Sequence, residues 1–264
     1  MNIQDIIKEL EKWAPLSYQE SYDNAGLIVG DPNMPCNKVL CSLDCTEAVI
    51  EEAIQIGANM IVSHHPIVFK GMKQFQMESY VARTVIKAIK NNIAIYAIHT
   101  NLDNIIEGVN KTLADALHLE NRSILSPSPN IDGMNKNVGS GIIGELPLET
   151  NEFDFLKWVK DKFHLQTLKH TALLNKPLKT IALCGGAGSF LISTAKRAKA
   201  DCFITSDLKY HEFFDTDNQL LMIDIGHAES EQFVPALIVE HLTTKFPNFA
   251  VLESKVKTNP VFYF

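Results

Sequence analysis

The chain has 264 residues, 46% of them hydrophobic and 21% charged, with a formal net charge of −7. This is globular composition, long enough for one large domain or two modest ones with a sizeable core. The acidic balance and the lack of a Lys/Arg-rich block argue against a nucleic-acid surface, and no apolar run approaches the ~20 residues of a membrane span.

In MNIQDIIKELEKWAP (1–15), Ile3, Ile6, Ile7, Leu10 and Trp13 recur at helical spacing and Pro15 stops the run. Acids interrupt the segment and no apolar stretch follows a basic start, so it is not a secretory signal. SYDNAGLIVGDP (21–32), with Asp23, Asn24, Gly26 and Gly30, reads as a turn feeding a strand. VLCSLD (39–44), MIVSH (60–64) and IAIYAIHT (93–100) read as buried strands, separated by helices over 46–57 and 78–92. Cys36, Cys41, Cys45, Cys184 and Cys202 form no CxxC pair, and their odd number points to reduced thiols in a cytoplasmic protein.

The order returns later: strand TIALCGG (180–186), helix 189–199, strand CFITSD (202–207) and strand LLMIDIGH (220–227). An offset of 142 lays Val39 on Ile181, Ile50 on Ile192, Ala53 on Ala195 and Ser63 on Thr205; an offset of 128 then lays His99 on His227 and Asp103 on Glu231. The chain therefore predicts an α/β protein of two similar βαβ-containing lobes, an internal duplication layered α/β/α. The lobes are placed at 1–125 and 126–264 and are expected to form one compact unit. LSPSPNIDGMNKNVGSG (125–141) is the linker candidate.

Three strand ends carry the chemistry: His64–His65, His99 with Asp103, and His227 with Glu231. Strand ends on one edge of an open α/β sheet are where ligands bind. Imidazole with carboxylate suits Zn²⁺, Fe²⁺, Mn²⁺ or Co²⁺ rather than a thiolate site. So many ligands exceed the need of one zinc and fit two ions with a bridging carboxylate. Consecutive strand residues point to opposite faces, so His64 and His65 are each expected to serve a different ion. Pro66 ends the strand behind them. If a helix starts near His227, as Phe233, Leu237, Ile238 and Leu242 suggest, His227 and Glu231 share a face. GGAGS (185–189) could offer backbone N–H groups to phosphate. In DLKYHE (207–212), Asp207 falls on His65 in the repeat frame, and Lys209, Tyr210 and His211 follow.

SYDNAGLIVG, IVSHHPIVF, HTNLDN, ITSDLKYHEF and IDIGHAESE, in this order, resemble the GTP cyclohydrolase 1 type 2 family, the homologues of a yeast Ngg-interacting factor. The resemblance runs from about residue 20 to the C-terminus. It implies a two-lobed fold with a dinuclear metal site between the lobes, a toroidal homohexamer, and the short form of the family, without the domain some members insert between the halves. By resemblance the ligands are His64, His65, Asp103, His227 and Glu231, with Glu231 bridging. His99 lies outside the usual five and is assigned to supporting a ligand or to catalysis.

The expected function is metal-dependent hydrolysis with two divalent ions. The substrate is a small molecule, GTP or another nucleotide, and the resemblance implies release of formate and dihydroneopterin triphosphate. His99 or His211 would move protons. The alternative is a non-catalytic metal-binding, metal-delivery or interaction protein.

Overall fold

The computed structural model describes residues 1–128 and 137–264. Its contacts divide the chain into two units: Met1–Leu102 with Phe233–Pro260, and Asp103–Gln232 with Val261–Phe264.

The first unit opens with helix α1 (Ile3–Trp13), capped by a reciprocal Asn2–Asp5 pair of side chain-to-backbone hydrogen bonds. Its face of Ile3, Ile6, Ile7 and Leu10 is buried as the spacing predicts, at about 1.5–3 kcal/mol per side chain. Strand β1 (Gly26–Val29) follows, then β2 (Val39–Ser42), α2 (Glu47–Ile56), β3 (Met60–Ser63), α3 (Tyr80–Lys90) and β4 (Ala94–Ala97). β2, β3 and β4 are parallel, with Val39 opposite Met60 and Met60 opposite Ala94. β1 pairs antiparallel with β4. All four residues of β2, β3 and β4 are buried, as parallel strands covered on both faces require. Leu40, Ile61 and Ile95 pack with Val49, Ile50 and Ala53 of α2 and Val85 and Ala88 of α3. Helix α4 (Thr100–Asp103) is a single turn after β4.

The second unit contains α5 (Val109–Ala116), β5 (Glu120–Pro127), β6 (Gly139–Asn151), α6 (Glu152–Lys162), β7 (Lys169–His170), β8 (Pro177–Ala187), α7 (Ile192–Arg197), β9 (Cys202–Ser206), β10 (Leu221–Asp224) and α8 (His227–Glu231). Its sheet runs β5-β6-β8-β9-β10-β7, with β8, β9 and β10 parallel and the other pairs antiparallel. Ile181 stands opposite Cys202, and Cys202 opposite Leu221. Ala182, Phe203 and Met222 pack with Leu191, Ile192 and Ala195.

The chain then returns to the first unit with α9 (Val234–Lys245) and β11 (Val251–Glu253). β11 pairs parallel with β2, and α9 packs on both. The first sheet thus reads β1-β4-β3-β2-β11. Among the described residues, no helix is long and apolar enough to cross a membrane.

Three expectations change. The division does not fall at 125/126, because β5 and β6 belong to the second sheet and α9 with β11 completes the first. Both ends of the linker candidate are strand: Ser126 pairs with Ser140 and Pro127 with Gly139, while residues 129–136 lie outside the described residues. Pro127 is tolerated because β5 is an edge strand. The helix expected from His227 is two helices. Pro235 cannot donate to the Glu231 carbonyl and its ring collides with it, so α8 ends at Glu231 and α9 restarts with proline in its first turn.

Candidate metal centre

His64 and His65 leave β3 together. The His64 N–H donates to the Ser42 carbonyl (3.1 Å) and the His65 N–H to the Leu43 carbonyl (2.9 Å). In a regular strand successive N–H groups point to opposite neighbours. Two consecutive donations toward the same neighbour mean that the backbone has rotated between them. The rings therefore come together, with centroids 5.0 Å apart, which corrects the expectation of opposed side chains. His99, just past β4, joins them: the ligand nitrogens of His64, His65 and His99 all lie within 4.8 Å of one another. This group could hold a metal ion within the first unit.

Each of these imidazoles is tied at Nδ1. His64, fully buried, meets the Ile98 carbonyl (2.8 Å), His65 meets Asp44 Oδ1 (2.8 Å), and His99 meets Asp23 Oδ1 (2.7 Å). A proton on Nδ1 puts the lone pair on Nε2, the tautomer a metal ligand or proton acceptor needs. Asp23 also accepts from the Thr100 N–H (3.0 Å) and hydroxyl (2.5 Å). Burial pushes the Asp23 carboxyl up, but the donors His99 and Thr100 outweigh it and hold it at about 2. Phe69 lies edge-on to His99 at 6.1 Å.

In the second unit His227 and Glu231 occupy the single turn of α8, with His227 Nε2 3.1 Å from Glu231 Oε2. The shared helical face is as expected. His227 Nδ1 meets Asp207 Oδ2 at 2.6 Å, so a fourth imidazole follows the same rule. Asp207 sits at φ +56° on the turn leaving β9, a conformation Asp tolerates better than most residues. The Glu231 side chain is only 3% exposed. Burial pushes the Cys184 thiol up, and the negative charges of Asp103 and Glu231 add to it. Those two carboxylates thus bear on one buried spot, where the neighbouring sulfur stays a thiol. Imidazoles and carboxylates without thiolate fit Zn²⁺, Fe²⁺, Mn²⁺ or Co²⁺.

Gly186 explains much of GGAGS. Its φ is +64°, and a Cβ there would stand 2.5 Å from Glu231 Oε1. Its N–H donates to Ser230 Oγ (2.9 Å), while its carbonyl accepts from Thr205 Oγ1 (3.0 Å). The Gly185 N–H donates to Asn110 Oδ1 (2.9 Å). These N–H groups are committed inside the protein, so they form no phosphate cradle. Gly186 instead lets the Glu231 carboxylate approach the strand.

His211 is exposed on a 3₁₀ segment, Tyr210–Thr216, its ring 5.2 Å from Tyr210 and 6.3 Å from Phe214. It does not belong to the His64–His65–His99 group. Sequence reasoning missed the carboxylates behind the histidines. Asp44 carried no signal beyond closing its strand, and Asp23 was masked by a turn-like composition 76 residues from its partner.

Comparison with known proteins gives a match to the family model "Duf34/NIF3 (NGG1p interacting factor 3)" over residues 1–260. A Clostridium perfringens protein named GTP cyclohydrolase 1 type 2 homolog is 36% identical over 232 residues, covering 88% of this chain and 87% of that one. A Campylobacter jejuni protein of the same name is 30% identical, with both chains fully covered. Among solved structures, a Bacillus cereus protein related to NIF3 superposes with a TM-score of 0.91 at 26% identity, covering 100% of this chain and 99% of that one. Staphylococcus aureus protein SA1388 gives 0.88 at 29%, with the same coverage.

Proposed function

Because the chain belongs to the DUF34/NIF3 family, we propose that it is a dinuclear divalent-metal protein and a metal-dependent hydrolase acting on a nucleotide. GTP is the candidate substrate, on the strength of the name its relatives carry. The proposed ligands are His64, His65, Asp103, His227 and Glu231. What supports this most is that His64, His65, His99 and His227 each have Nδ1 engaged by a carboxylate or carbonyl.

Bound divalent cations supply Lewis acidity and lower the pKa of water. The chain's own residues do the rest. Asp23 fixes His99 with Nε2 as its basic nitrogen, so His99 can take a proton from water attacking the imidazole carbon of guanine and return it to the departing ring nitrogen, and a second water would cleave the resulting formamide to formate and the free amine. His211 is the second candidate for proton transfer. Phe69 lies beside the His99 ring, their planes near-perpendicular.

The ladder registers support duplication. Val39 faces Met60 and Ile181 faces Cys202, which preserves the offset of 142 across both strand pairs. A homohexamer in the cytoplasm is the expected setting, and sedimentation velocity tests the assembly.

Metal content of the purified protein tests the centre: two ions per chain should fall towards one or none in Asp103→Ala, and unchanged stoichiometry would refute the ligand set. Incubation of metal-loaded protein with GTP, followed by mass spectrometry of formate and pterin, tests the chemistry. No turnover, or equal turnover in Glu231→Gln, would discard the hydrolase and leave a metal-binding or delivery protein.

A further inference from the structure

The segment DLKYHEFFDTDN (207–218) begins with the carboxylate that holds His227 and ends in two consecutive left-handed residues, Asp217 (φ +49°) and Asn218 (φ +53°). Between them, the 3₁₀ turn Tyr210–Thr216 presents a row of rings to the outside. Tyr210 is 74% exposed and Phe214 66% exposed, with centroids 5.6 Å apart and planes inclined at 69°. Aromatic rings left in water on a short, hydrogen-bonded turn bury little of their own surface, so packing of this chain does not account for them.

They line a cavity. Tyr210, Phe213 and Phe214 form its apolar wall, and His170 of β7, Asp217 and Asn218 line it as well, around a volume of about 430 Å³. That size falls in the range of small-ligand sites, roughly 300–1,000 Å³, which combine apolar walls with a few polar groups that set orientation. Asp217 Oδ2 already accepts from Gln219 Nε2 at 3.1 Å, which fixes the carboxylate's orientation. A carboxylate and an amide together with an aromatic wall suit a flat ring with hydrogen-bond donors along one side. An aliphatic chain would gain nothing from those polar groups, and a phosphate would be repelled by the carboxylate.

We propose that this cavity binds a planar heteroaromatic ring of the nucleobase class, stacked on Tyr210, with Phe214 against its edge and its donor edge toward Asp217 and Asn218. None of the proposed metal ligands lines it, so the site stands or falls independently of the metal centre. It is joined to that centre through the chain itself: Tyr210 is three residues beyond Asp207, the partner of His227 Nδ1.

Adenosine and guanosine, which carry no phosphate, are the probes. Binding is measured by saturation-transfer NMR and calorimetry on full-length protein, in wild type, Tyr210→Ala, Tyr210→Phe and Asp217→Asn. At least one nucleoside should bind and keep its affinity in Asp103→Ala and after chelation of metal. Tyr210→Ala should weaken it about tenfold or more, the loss of one stacking partner, and Tyr210→Phe should retain it. Asp217→Asn keeps the left-handed turn but exchanges an acceptor for a donor, so it should weaken binding as well. Because Tyr210 is exposed, its truncation should leave the melting temperature unchanged. Binding of neither nucleoside, or binding indifferent to Tyr210→Ala, would overturn the proposal. Loss of binding on chelation would also overturn it, by moving the ligand to the metal centre.

Discussion

Replacing Gly186 by alanine tests whether the backbone of β8 is shaped around Glu231. Two costs are readable from the structure. At φ +64° a side chain costs about 1–2 kcal/mol in the left-handed region. The new methyl would also stand 2.5 Å from Glu231 Oε1 and 3.5 Å from His227 Cε1. Ordinary contact lies near 3.4–4 Å, so the carboxylate must retreat by roughly an ångström. Folding stability of about 5–15 kcal/mol absorbs the strain, and the protein should remain folded with a lower urea midpoint. A displaced ligand is not absorbed in the same way: metal affinity should fall about 10–100-fold, as when groups orienting a ligand are lost. Gly188→Ala is the control. Its Cβ would meet Thr205 Oγ1 at 2.4 Å and Cys184 Cβ at 2.8 Å, which costs packing without touching Glu231. Urea denaturation and calorimetric titration with Mn²⁺ separate the two variants. If both lose stability but Gly186→Ala binds metal like the wild type, Glu231 is not a ligand.

Asp44→Ala removes the acceptor of His65 Nδ1, and metal affinity measured by competition with a chromophoric chelator should drop about 10–100-fold while circular dichroism stays unchanged. Asp23 gives a pH signature. Its carboxyl is held at about 2 when folded against an ordinary value near 3.9, so its contribution is complete above about pH 4 and is lost as pH falls through about 2. In metal-free protein, urea midpoints between pH 5 and pH 2 should therefore fall less steeply in Asp23→Asn than in wild type; parallel curves would refute the assignment. Pro235→Ala restores an N–H opposite the Glu231 carbonyl, so helix content should rise by a residue or two as α8 and α9 join, read by far-ultraviolet circular dichroism.

Much of the fold was written in local pattern. The buried runs of β2, β3 and β4 and the amphipathic spacing of α1 need no partner to be recognised, because continuous apolar strands imply a parallel sheet covered on both faces. The return of α9 and β11 to the first sheet was illegible. β11 has three residues, VLE, of which only Val251 is buried, and its partner β2 lies more than 200 positions earlier. β5 was hidden for another reason: its residues follow an edge-strand burial pattern with Pro127 at the end, and the composition reads as linker. The candidate ligands were legible because strand ends announce themselves. The carboxylates behind them were not, because Asp23–His99 and Asp44–His65 are long-range pairs.

Consecutive histidines show where a one-dimensional rule stops. Alternation of side chains holds only while the backbone keeps the extended twist, and hydrogen bonds reveal when it fails. His64 and His65 both donate toward the strand on the same side, a pattern no regular strand permits. Pro66 then removes the next donor, so the ladder cannot resume. The rotation brings two rings together at the end of a fully buried strand, where a third, His99, meets them. The second unit reaches its own imidazole–carboxylate pair by another route. There Gly226, at φ +89°, turns the chain away after β10 and a single helical turn sets His227 beside Glu231. One device is a rotated strand end and the other a turn followed by a short helix. The equivalence seen in the sequence between His99–Asp103 and His227–Glu231 is therefore one of residue type and spacing, and only in α8 does it place the histidine inside the helix that carries its carboxylate.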